Sequence, residues 1–125
     1  MRAFAHVAAL ALIALASPAL AQTHFRHQSE PDHFDKLKAM AVMFGDTEYA
    51  GKACPGLRVN GDAVTKTLYA NGIEMMDLEP EGPEEIWLGQ QKRRAAQGAR
   101  VACDAILEAY GPAGSRYPGL VSPKR

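Results

Sequence analysis

Hydrophobic residues along this chain recur mainly at spacings of three and four, the period of a helix rather than a strand. Phe34, Leu37, Ala41 and Phe44 form the first series, with Met40 and Met43 beside it. Ser29 to Asp32 offers a capping oxygen, a proline and acids for a first turn, and Gly45 closes the series, so the pattern predicts a helix over 32–44. A short helical turn is expected over 47–53, before the break at Pro55-Gly56. Asn60-Gly61-Asp62 then caps a second helix whose stripe is Val64, Leu68 and Tyr69, and Asn71-Gly72 stops it. Ile73 to Leu78 is a third short apolar piece, ended by Pro80-Glu81-Gly82-Pro83.

The longest series runs over 83–110. Pro83 at the first turn, Glu84 and Glu85 at the positive helix end and Gly111-Pro112 after the last turn all favour one continuous helix. At 100° per residue, Trp87, Leu88, Gln91, Ala95, Gly98, Ala99, Ala102, Cys103, Ala105, Ile106, Ala109 and Tyr110 share one side. Arg93, Arg94, Gln97, Arg100, Asp104 and Glu108 share the other. Leu57-Arg58-Val59 is the only strand-like run and is too short to build a sheet, and Pro118-Gly119-Leu120 echoes Pro55-Gly56-Leu57 over too few residues to mark a repeat. The predicted fold is all-α: a small bundle of three to four helices with one long C-terminal helix, one disulfide, and an extended tail over 112–125 laid on the surface.

The first 21 residues have a different character. Arg2, an apolar run from Val7 to Ala16, and the small residues Ala19 and Ala21 around Leu20 have the layout of a secretory signal cleaved after Ala21. That run is shorter than a spanning helix needs. The expected organisation is a signal peptide over 1–21, a flexible polar arm over 22–30, a helical domain over 31–111 and the tail. Export also changes the meaning of the two cysteines. In an oxidising compartment an even count with nothing else to bind predicts a Cys54–Cys103 bridge, whereas a redox-active pair would need close spacing.

Charge narrows the function. Fourteen basic residues against fourteen acidic ones give no net charge, which removes nucleic acid as a partner selected by global electrostatics. The mature chain offers three chemical candidates. Cleavage after Ala21 would expose Gln22-Thr23-His24, resembling the amino-terminal copper and nickel motif in which an amine, two amides and an imidazole form a square-planar nitrogen set; His27 could add a further nitrogen. Lys92, Arg93, Arg94 and Arg100 form a basic face on the long helix, suited to an anionic partner and otherwise only solvated, and expected to tolerate substitution. Met40, Met43, Met75 and Met76 are soft ligands by type, although Met40 and Met43 fall at core spacing. Catalysis has no support in the pattern: no histidine lies beyond the N-terminal region, and no phosphate loop or metalloprotease motif is present.

The layout from Cys54-Pro55-Gly56-Leu57 to Cys103 resembles the small single-disulfide helical proteins of the Gram-negative periplasm. It is similar, more distantly, to acid-stress chaperones of the HdeA type. That resemblance implies a dimer that opens at low pH and holds unfolded clients. The expectation from residues and resemblance together is a non-enzymatic, periplasmic or secreted protein that binds an envelope protein or protects under stress, without an obligate small molecule. The alternative is an N-terminal Cu(II)- or Ni(II)-binding protein.

Overall fold

The computed structural model describes residues 30–125 of the chain. Its elements are α1 (Glu30–Ala53), β1 (Leu57–Val59), α2 (Gly61–Ala70), a 3₁₀ turn (Met75–Leu78), α3 (Glu81–Gln97), α4 (Ala99–Tyr110) and β2 (Val121–Pro123). The expected class forms: a small, mostly helical fold closed by a Cys54–Cys103 disulfide. None of the described helices is long and apolar enough to cross a membrane.

Gly45 does not end the first helix. α1 continues to Ala53, taking in the turn expected over 47–53. A Cβ on Gly45 would overlap the carbonyl oxygen of Trp87 and lie 2.9 Å from Cβ of Gln90. The residue is a crossing point, where the backbones of α1 and α3 approach too closely for any side chain. Beyond it, Asp46, Thr47, Tyr49 and Ala50 enter the core with Met40, Ala41 and Met43. Gly45→Ala is therefore expected to force α1 and α3 apart and destabilise the fold by about 1–3 kcal/mol, measured by urea unfolding. An unchanged midpoint would contradict the close crossing.

The continuous helix expected over 83–110 is two helices. Gly98 has φ +85°, a conformation that ends α3 and that glycine adopts without a Cβ clash. The helical wheel drawn over 83–110 fails along α3 and at the junction, and holds on α4. Ala95, Gly98 and Ala99 are exposed, and Leu88 is 40% exposed. The inward residues of α3 are Ile86, Trp87 and Gln90, of which only Trp87 was on the expected face, whereas the buried residues of α4, Ala102, Ile106, Ala109 and Tyr110, all lie on it. α2 follows its local signals more closely. The Asn60 side chain accepts the Ala63 N–H at 3.1 Å, Val64 and Leu68 are buried, and Gly72 has φ +71°, although Tyr69 points to solvent.

The tail corrects two further expectations. β2 pairs with β1 in antiparallel register, Leu57 opposite Pro123 and Val59 opposite Val121, so the strand-like run does build a two-stranded sheet. Leu120 and Val121 are almost fully buried, which makes the tail part of the core rather than a surface strip. Its backbone also closes the end of α4. The last carbonyls of a helix have no partner within it; here Leu107 accepts from Gly111, Glu108 from Ser115, Ala109 from Arg116 and Tyr110 from Leu120, at 2.8–3.0 Å. Each Pro-Gly-Leu triplet leads into one of the paired strands, but only Gly119 has positive φ.

Candidate functional site

Arg93, Arg94 and Arg100 do not form the free basic face expected of them. Arg94 turns inward: its side chain is 13% exposed, with Nε 2.7 Å and Nη2 3.1 Å from the two oxygens of the fully buried Asp46. Arg93 is exposed, and its Nε donates to Gln90 Oε1 at 3.0 Å. Arg100 lies beyond the Gly98 break, in a groove beside the disulfide that also contains Asp104. The expectation that all three tolerate substitution therefore fails at Arg94.

Asp46 joins three helices. Its Oδ1 accepts from Gln90 Nε2 at 2.8 Å and Arg94 Nε, and its Oδ2 accepts from Arg94 Nη2 and the Tyr110 hydroxyl at 2.8 Å. Those four bonds fill the capacity of an ionised carboxylate. A fully satisfied, closed network has no spare group to offer a substrate, and its physical role is to hold α1, α3 and α4 together. The hydrogen bond to Asp46, opposed by burial, raises the Arg94 pKa further. Burial, together with the adjacent Asp46 charge, pushes the Tyr110 phenol well above its ordinary range, with Arg116 opposing.

The Tyr110 shift has a definite sign. Its folded pKa exceeds the unfolded value near 10, so its contribution to stability is complete below about pH 10 and is lost as pH rises through the alkaline range. In a spectrophotometric titration of the four tyrosines, one is expected to ionise only as the protein unfolds. A phenol that titrates near pH 10 in every tyrosine while the fold persists would contradict the Asp46–Tyr110 bond.

Three surface clefts differ in the charge of their walls. The first, about 470 Å³, carries both signs through Asp35, Lys38 and Arg116 around Tyr110 and Tyr117. The second, about 350 Å³, is the groove by the disulfide, again with both signs in Arg100 and Asp104. The third, about 290 Å³, is lined by Phe44, Met75, Leu78 and Trp87, and its only charged residues are Glu48, Glu79 and Glu84. It combines an aromatic and thioether lining with charge of a single sign.

Local sequence explains how this third cleft is built. The Phe44 and Trp87 rings meet edge-on with centroids 5.3 Å apart, next to the crossing that Gly45 permits. The indole N–H donates to the Leu78 carbonyl at 3.1 Å, tying Trp87 to the 3₁₀ turn. That turn is fixed by buried Leu78 and by the Glu74 N–H, which donates to Asp77 Oδ2 at 2.7 Å. Met75 and the adjacent Met76 are 42% and 64% exposed, whereas Met40 and Met43 are fully buried. Helical spacing identified the second pair as core, and the first pair is solvent-facing. Glu48 lies 3.7 Å from Lys52, and among the described residues Glu79 and Glu84 have no ion-pair partner.

The copper candidates Gln22, His24 and His27 lie outside the described residues. Among the described residues, no group of three histidine, cysteine or acidic side chains is arranged to hold a metal ion. Trp87 was expected only on the apolar side of the long helix, and its cleft was not legible, because the cleft needs the 3₁₀ turn and the glycine crossing together. The one local hint was the acidic, proline-bounded stretch around a lone tryptophan. The chain matches no protein family model, no curated protein and no solved structure.

Proposed function

We propose that this is an exported, non-enzymatic protein of the cell envelope that acts by binding another protein, and that the Phe44–Trp87 cleft is its docking site. One observation carries this reading: the half-exposed Met75 and two aromatic rings share a cleft, with the exposed Met76 next to it in the chain, on a framework held by a disulfide and a buried ion pair. Met-rich, aromatic surface suits protein recognition because thioethers adapt their shape while rings supply contact area. The buried Asp46 network and the bridge support the cleft without entering it.

A photo-crosslinking amino acid at Met76, compared with one at Asp104, tests the proposal in intact cells. The expected result is a discrete adduct from position 76 alone, re-formed between the purified proteins and lost in a Met75→Arg background. A broad ladder of adducts after acid shock would favour stress protection of many clients. No specific adduct, with Cu(II) binding by the processed protein that is lost in His24→Ala, would favour the N-terminal metal alternative.

A further inference from the structure

We infer that the group entering the Phe44–Trp87 cleft is a basic side chain of the partner, an arginine flanked by apolar residues. The inference rests on the protein-binding proposal and specifies its chemistry. The cleft has three carboxylates and no cationic lining residue, and although Glu48 is paired with Lys52, Glu79 and Glu84 would repel an acidic or phosphorylated segment. Its interior is apolar, which disfavours a fully hydrated ion. Arginine meets both conditions, since its planar guanidinium stacks on aromatic rings, forks to carboxylates and is weakly hydrated. Lysine has the same charge with a more strongly hydrated head and no fork. Leucine-like neighbours of the arginine would cover Met75 and Leu78.

The acidic residues have ordinary structural explanations that leave this chemistry available. Glu84 is in the first turn of α3, where the helix dipole favours an acid, and Glu79 follows the 3₁₀ turn. Neither is engaged in an ion pair among the described residues. The sign of the partner is thus opposite to that expected from the arginines of α3 and α4.

The chain's single tryptophan is Trp87, so its emission reports directly on the cleft. The probes are short acetylated peptides of sequence Leu-Arg-Leu-Leu, the same peptide with citrulline in place of arginine, and the same with glutamate. The arginine peptide is expected to change Trp87 emission saturably, with affinity falling as salt rises. Citrulline should weaken binding about tenfold and glutamate should abolish it. Glu79→Gln with Glu84→Gln should also weaken the arginine peptide about tenfold, while the protein stays folded with only a small loss of melting temperature from the helix dipole.

Equal binding of the arginine and citrulline peptides would overturn the inference, as would full affinity in the double variant or no response to any peptide. If the crosslinked partner still docks at Met76 in any of those cases, only the basic side chain is wrong. If crosslinking fails as well, the docking site falls with it.

Discussion

Asp46→Ala is expected to destabilise the protein by about 3–5 kcal/mol, the range for breaking a buried ion pair by removing one partner. The loss is large because the carboxylate is fully buried and is the common acceptor for Gln90, Arg94 and Tyr110. Its removal leaves a guanidinium, a phenol and an amide without their partner in a poorly solvated space. Since domains are stable by only about 5–15 kcal/mol, the variant should lose a large share of its total stability. Urea unfolding followed by circular dichroism measures the effect. A second variant separates the charge from the geometry: Asp46→Leu combined with Arg94→Met should recover most of the loss, because an apolar replacement of a whole buried pair is often neutral or better. A loss below about 1 kcal/mol in Asp46→Ala would mean that the network is not closed as described.

Reduction of the Cys54–Cys103 bridge should have a comparable effect, about 4 kcal/mol from chain entropy for cysteines 49 positions apart. Its structural position adds to that figure. The bridge ties the end of α1 to α4, on the far side of the Gly98 break, and residue 54 immediately precedes the turn into β1. The Cys54→Ala, Cys103→Ala protein should melt well below the oxidised protein and should lose the protection of β1 and β2 amides before that of α1 in hydrogen exchange. Thiol titration of denatured, unreduced protein should find no free cysteine. Two free thiols, or equal stability with and without reductant, would contradict this assignment.

Much of the local structure was legible because its causes are local. The Asn60 cap, the stop at Gly72 and the start of α3 among prolines and acids each depend on a few adjacent residues. The cysteine pairing was legible for a different reason, since two cysteines allow one intramolecular bridge. Glycine was the main source of error. Gly45 and Gly98 look alike in sequence, yet one sits inside a helix because another backbone lies against it, and the other ends a helix through positive φ. Distinguishing them requires knowing what is nearby in space. The same need hid the Asp46–Arg94 pair, 48 residues apart, and the pairing of β1 with β2 across most of the chain. For the candidate site, the acids and Trp87 were visible individually. Their convergence with Phe44 and Met75 was not, because the expected end at Gly45 separated the turn that carries Glu48 from the helix that carries Phe44.

The closure of α4 by the tail places three separate protections on one short length of chain. Leu120 and Val121 cover the core, β2 pairs with β1, and amides of the tail occupy the final carbonyls of α4. A single proteolytic cut between Gly111 and Leu120 would therefore loosen all three together, baring apolar core, an unpaired strand edge and unpartnered carbonyls.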